Sequence, residues 1–127
     1  DHFKSVNDRH GHGAGDRVLQ QFAQVLGQLV RTGDYVARWG GEEFIVLLPH
    51  TPPDAAEQMA RKILAEVRDI PLRCGQGITM RHVSVSIGVA SALIGSLAEG
   101  QSLLTQADEA MKQAKLAGRN RHVIVRT

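Results

Sequence analysis

The chain has 127 residues, 43% of them hydrophobic, with 15 Lys+Arg against 13 Asp+Glu and a formal net charge of +2. That length suits one domain and is too short for two, and no apolar run approaches the roughly 18 residues of a membrane span. So balanced a charge gives no ground for nucleic-acid or membrane binding; a lone cysteine, Cys74, excludes an internal disulfide framework and fits a reducing, cytoplasmic setting.

Residues 1–15 are polar and glycine-rich and do not resemble a signal peptide. The chain opens abruptly at Asp1, so it reads as a fragment, with a strand expected upstream for the opening loop to leave. Over residues 16–30, Val18, Leu19, Phe22, Val25, Leu26 and Leu29 recur at helical spacing, with Gly13 and Gly15 in the loop that opens the helix. Tyr35 to Trp39 and Phe44 to Leu48 read as strands, and Gly40-Gly41 between them supplies the positive φ of a tight hairpin turn. Thr51-Pro52-Pro53-Asp54 reads as a helix start, with a Thr cap, a proline in the first turn and an acid at the positive end. Ala56, Met59, Ala60, Ile63, Leu64 and Val67 continue that helix. Val83, Val85, Ile87 and Val89 alternate with Ser84, Ser86 and Gly88, the pattern of a strand with one buried face. Leu103, Leu104, Ala107, Met111 and Ala114 form a third helical stripe that Gly118 ends, and Val123 to Val125 form a last short strand. Helix, hairpin, helix, strand, helix, strand is an α+β order.

Chemistry concentrates in a few segments. In Arg38-Trp39-Gly40-Gly41-Glu42-Glu43-Phe44, two adjacent carboxylates repel each other beside glycines that lose much entropy on ordering. Such carboxylates suit a divalent cation that bridges phosphates, and glycine at the turn lets a bulky anion approach the backbone; the bland reading is an exposed acidic hairpin. Asn7 and Asp16 form a plausible base-reading pair, because Asp accepts from guanine N1–H and N2–H while an Asn amide donates to O6; equally, Asp16 at a helix start only complements the dipole. Lys4 suits a phosphate as a point charge. Lys115 and Arg119, four apart, fall on one helical face able to clamp phosphate, although basic residues are common in any last helical turn. Arg31 and Asp34 offer a guanidinium fork and a carboxylate for guanine or phosphate; as a local surface pair they are worth little. His10 and His12 lack a third ligand and do not make a zinc site.

Together these segments resemble the GGDEF family of diguanylate cyclases. Gly40-Gly41-Glu42-Glu43-Phe44 is similar to the GGEEF form of the signature. The opening resembles the family's DxDxFKxxND…GHxxGD stretch, Ser84 to Ala90 its buried strand, and Ala107 through Asn120 its ADxAxYxAKxxGRN ending, with Met111 where Tyr is usual. The resemblance implies a ferredoxin-like βαββαβ core related to polymerase palm and class III nucleotidyl cyclase domains, with a mostly antiparallel central sheet flanked by helices. It implies condensation of two GTP into cyclic di-GMP and pyrophosphate across a homodimer, using two Mg²⁺ or Mn²⁺ per GTP. Glu42 would bind metal, with Glu43 assisting the second metal or the attacking hydroxyl. The other metal-binding Asp would stand two positions before Asp1, so residues 1–127 would be such a domain lacking its first helix and most of its first strand. Asn7 and Asp16 would read guanine; Lys4, Lys115 and Arg119 would hold phosphates, with Gly40, Gly41 and the backbone of His2 and Phe3 lying against them. Arg31 and Asp34 match an RxxD inhibitory site for cyclic di-GMP, to which Arg61 or Lys62 would add charge. Control would come from an upstream sensory or receiver domain, and no nucleic-acid or membrane contact is expected. The rival reading is an inactive domain that senses cyclic di-GMP or GTP.

Overall fold

The computed structural model describes residues 13–40, 42–69, 71–75, 78–80 and 84–125. Its chain divides into two compact units, one of Asp1–Pro49 with Ala65–Val83 and one of His50–Leu64 with Ser84–Thr127. Among the described residues no helix is long and apolar enough to cross a membrane.

In the first unit, helix α1 (Ala14–Leu29) buries Ala14, Val18, Phe22 and Leu26, each one turn after the last, with Gly15 and Leu19 beside them. That is the apolar stripe expected of helical spacing, although Val25 and Leu29 are only half-buried. The helix starts earlier than its stripe suggests. Gly13, at φ 85, is the cap residue, and Gly15 lies inside the first turn rather than in the opening loop. Strands β1 (Tyr35–Gly40) and β2 (Glu43–Leu47) form an antiparallel hairpin in which Val36 faces Val46, Arg38 faces Phe44 and Gly40 faces Glu43. Two residues of β1 pass for one of β2 between the last two pairs, so Trp39 occupies a bulge, a feature that bends a strand and re-aims the residues beyond it. The hairpin is held to α1 by Phe22 and Phe44, whose rings meet edge to face at 5.1 Å and 68°, a geometry favoured by the ring quadrupoles.

A second antiparallel hairpin, β3 (Leu72–Gly75) with β4 (Ile78–Met80), also belongs to this unit, and α1 packs against β3. The sequence pattern did not reveal it. These strands are four and three residues long, with a bulge between Arg73 and Gly75, too short for period-2 alternation to register.

Helix α2 (Pro53–Asp69) buries Ala56, Ala60, Ile63, Leu64 and Val67. Its first turn carries Pro53 and Asp54 as expected, but the Ala56 N–H donates to the Pro52 carbonyl at 3.0 Å. Pro52 rather than Thr51 therefore holds the cap position.

In the second unit, β5 (Ser86–Val89) pairs in parallel with β6 (Arg121–Ile124), and the Val125 N–H extends the ladder to the Val89 carbonyl at 2.8 Å. Two of the three described strand pairings are thus antiparallel and one parallel, within the expected α+β class. Helix α3 (Leu97–Leu116) crosses both β5 and β6. Small residues allow the close crossing: Ala110 and Ala114 are buried, and Gly88 lies directly under the helix backbone. The Ser96 hydroxyl caps the helix by accepting from the Glu99 N–H at 3.2 Å, as an N-cap serine does.

The far end of α3 is a Schellman motif. The Arg119 N–H reaches the Ala114 carbonyl at 3.0 Å and the Gly118 N–H the Lys115 carbonyl at 3.3 Å, which satisfies carbonyls the helix would otherwise leave open. Gly118, Arg119 and Asn120 then take successive positive φ values of 121°, 63° and 52°. For the two non-glycine residues this conformation costs roughly 1–2 kcal/mol each, less for Asn, and it turns the chain from α3 into β6.

Candidate functional site

The hairpin and the start of α1 hold the best-defined part of the site. Glu42, in the turn before β2, is exposed, and Glu43, paired with Gly40, is half-buried at the first position of β2. Of the Gly-Gly pair expected to supply a positive φ, Gly40 is not left-handed but a paired residue of β1, next to the bulge at Trp39. Among the described residues, an added Cβ at Gly40 would meet no atom within 4 Å. Neither a positive φ nor crowding by those residues therefore calls for glycine here.

Asp16 sits in the first turn of α1, where the exposed N–H groups favour a negative charge. Its carboxylate is 69% exposed and forms an ion pair with the Arg38 guanidinium at 3.7 Å. Arg38 is the functional candidate that spacing did not single out, because nothing in a sequence pairs a strand residue with a helix start 22 positions earlier. Its neighbours form an open concavity of about 230 Å³, lined by Leu19, Gln20 and Ala23 of α1 and by Val36, Arg38 and Phe44 of the hairpin. This falls below the roughly 300–1,000 Å³ of most small-molecule pockets.

Arg31 and Asp34 meet as the sequence suggests, but they form a built turn rather than a loose surface pair. The Arg31 N–H donates to Asp34 Oδ2 at 2.8 Å, Arg31 Nε lies 3.3 Å from the same oxygen, and the Asp34 N–H returns to the Arg31 carbonyl at 3.0 Å. Gly33, at φ 95, takes the position of a four-residue turn that needs glycine. The Asp34 side chain is 3% exposed and that of Arg31 is 60% exposed. The carboxylate therefore serves as an anchor that orients an outward guanidinium. Arg61, considered as extra charge, is paired with Glu57 at 3.4 Å, and Glu57 also meets His122 at 3.1 Å.

Lys115 and Arg119 belong to the second unit. They do not share a helical face as their spacing predicts, because α3 ends at Leu116. Lys115 is in its last turn, and Arg119 lies beyond it in the left-handed corner. The Arg119 carbonyl accepts from Arg121 Nε at 3.0 Å, so hydrogen bonds on both sides hold that corner.

His2, Phe3, Lys4, Asn7 and Gly41 lie outside the described residues. Among the described residues no three His, Cys, Asp or Glu side chains cluster as a self-sufficient metal site. What the hairpin offers is one exposed carboxylate with a second beside it. That donor set fits Mg²⁺, which keeps several waters and binds through one or two carboxylates together with substrate phosphates.

The family described as diguanylate cyclase, GGDEF domain, matches residues 1–121. The response regulator PleD of Caulobacter vibrioides is 43% identical over 120 residues, 94% of this chain and 26% of that protein. Diguanylate cyclase A of Treponema denticola is 40% identical over 122 residues, 95% of this chain and 32% of that protein. The chain thus spans between a quarter and a third of these relatives. Among solved structures, the GGDEF domain of DgcB from Caulobacter crescentus, in complex with c-di-GMP, superposes with a TM-score of 0.89 at 33% identity, over 100% of this chain and 72% of that one. The carboxylate-tipped hairpin, the acid opening α1 and the basic corner after α3 stand on a chain that belongs to the diguanylate cyclase GGDEF-domain family.

Proposed function

We propose that the domain supplies half of a diguanylate cyclase active site. The observation that carries this reading is the exposed Glu42 on a bulged hairpin that Phe22 and Phe44 pin to α1, with Asp16 in that helix's first turn. Two such domains would face each other, each with one GTP. The 3′-hydroxyl of each GTP gives up its proton to solvent as its oxygen bonds to the α-phosphorus of the other, the α–β anhydride bond breaks, and pyrophosphate leaves with its electron pair. Glu42 would hold Mg²⁺ or Mn²⁺, two ions per GTP, with Glu43 supporting the second ion or the attacking hydroxyl. Bound there, the cation would acidify that hydroxyl and neutralise charge on the α-phosphate and the leaving group.

The chain's own residues do the positioning. Asp16 and Asn7 read the guanine edge. Lys4, Lys115 and Arg119 take phosphate oxygens, and the backbone of His2 and Phe3 lies against them, as does the Gly40-Gly41 segment. Facing domains turn an encounter of separate reactants into a pre-oriented reaction. The direct test is to incubate the full-length protein with GTP and Mg²⁺ and weigh the products. Cyclic di-GMP with pyrophosphate supports the assignment, and a demonstrably dimeric protein that forms neither would sink it.

Gly40 provides a second test. Since the fold leaves room for a Cβ there, Gly40→Ala is expected to keep the melting temperature while weakening GTP binding about tenfold or more, as calorimetric titration would read. Equal binding would remove the idea that glycine is kept for a phosphate.

Feedback is proposed at Arg31 and Asp34. Cyclic di-GMP bound by the outward Arg31 guanidinium would hold two domains in a non-productive arrangement. Arg31→Ala is expected to raise the product concentration for half-inhibition by at least about tenfold, the value of one lost charge-assisted contact, with initial turnover unchanged. An unaltered inhibition curve would remove this site. Control by an upstream sensory or receiver domain is part of the same proposal; it is supported by the matched relative named as a response regulator, of which this chain covers 26%.

A further inference from the structure

We propose that Arg38 is a positioning residue for nucleobase choice, holding the Asp16 carboxylate in the orientation that accepts both N–H donors of a guanine edge. The proposal rests on reading Asp16 as the guanine reader and adds the residue that makes this reading selective.

At 69% exposure on the first turn of a helix, the Asp16 side chain has little packing to choose its rotamer. A two-donor edge is recognised only if both carboxylate oxygens point at it together, so selectivity needs something that orders the side chain first. Arg38 is built for this. It faces Phe44 across the hairpin, and Phe44 is clamped to Phe22 of α1, so the strand bearing Arg38 is fixed against the helix bearing Asp16. The Arg38 stem lines the concavity with Leu19, Gln20 and Ala23 of that helix, an apolar bed for its methylenes. Its guanidinium then meets Asp16 Oδ1 at 3.7 Å. A carboxylate has about four lone-pair sites, so an ion pair on one side of Oδ1 leaves room for two guanine donors.

At these exposures the pair contributes little to stability; its effect is on orientation. It also joins the base-reading end of the site to the strand that carries the carboxylate turn, since Arg38 directly precedes the bulged Trp39. A bound guanine therefore bears on the hairpin whose tip holds Glu42.

The test uses the full-length protein and two nucleotides that differ at one group. Hypoxanthine lacks the 2-amino group of guanine, so the ratio of affinities for the α,β-methylene analogues of GTP and ITP reports the Asp16 contacts without turnover. Arg38→Met, which keeps an apolar stem, is expected to lower the GTP-over-ITP preference about tenfold, the size of one charge-assisted hydrogen bond. Arg38→Lys should retain most of the preference. In an Asp16→Ala background, Arg38→Met should leave the already lowered ratio unchanged, because its effect passes through Asp16. Equal weakening of both nucleotides, or an undiminished effect in the Asp16→Ala background, would overturn the positioning role while leaving Asp16 as the reader. A normal preference in Asp16→Ala alone would instead overturn the base-reading assignment, and the role of Arg38 with it. Should Arg38→Met melt early, Arg38→Gln and Arg38→Lys carry the same comparison.

Discussion

Replacing Glu42 by Gln is expected to lower cyclic di-GMP formation on the order of 10³-fold with the fold intact. The two side chains have nearly the same shape, so the change removes one negative charge and little else. Glu42 is exposed in a turn and is not among the paired strand residues; surface substitutions of this kind usually change stability by less than about 0.5 kcal/mol. In the proposed site the lost charge is what draws a divalent cation to the phosphates. Losing one preorganised electrostatic partner of a transition state commonly costs about 10²–10³-fold in rate, and a direct ligand to the cation belongs at the upper end. Product mass from GTP and Mg²⁺, read beside a melting curve, checks both halves of the expectation. Full activity in a normally melting Glu42→Gln protein would withdraw the metal assignment; lost activity with an early melt would make Glu42 a structural residue instead.

The sequence made the main elements legible because their signals are long. Helix α1 shows its stripe over four turns, and the stripe of α2 runs from Ala56 to Val67. The candidate site was legible in its residue types and less so in its geometry. Spacing counts residues along an assumed helix, so Lys115 and Arg119 were placed on one face; the Schellman motif at Gly118 ends the helix between them. A Gly-Gly pair between strands suggests a left-handed turn, whereas the extra residue at Trp39 carries Gly40 into the ladder. The buried role of Asp34 was equally out of reach, since it depends on the fold closing over a carboxylate that also receives a backbone N–H. Arg38 shows the general reason. Its partner lies on another element, and only tertiary packing brings the two together.

Gly40 and Gly88 separate two reasons for glycine that sequence alone cannot distinguish. Open space among the described residues at Gly40 suits the phosphate proposed to approach the hairpin; crowding at Gly88 points inward, to the helix that lies on β5. A Cβ at Gly88 would collide with the Ala107 carbonyl oxygen and the Met111 backbone nitrogen, and it would sit 3.0 Å from the Ala110 carbonyl carbon. These are backbone atoms of one helix, so no rotamer change relieves the contact. Gly88→Ala is therefore expected to force α3 away from β5 and to destabilise the domain by about 3 kcal/mol or more, the upper range for overpacking, with Gly88→Val worse. The thermal midpoint of the domain should fall by more than about 10 °C. Activity should fall with it, because Lys115 and the Arg119 corner sit at the end of the displaced helix. Denaturant melts of Gly88→Ala and Gly40→Ala in parallel decide the matter. An early melt in the first with a normal melt and weakened GTP binding in the second supports the division, and a normal melt in Gly88→Ala would show that the helix does not pack on β5 as closely as the structure places it.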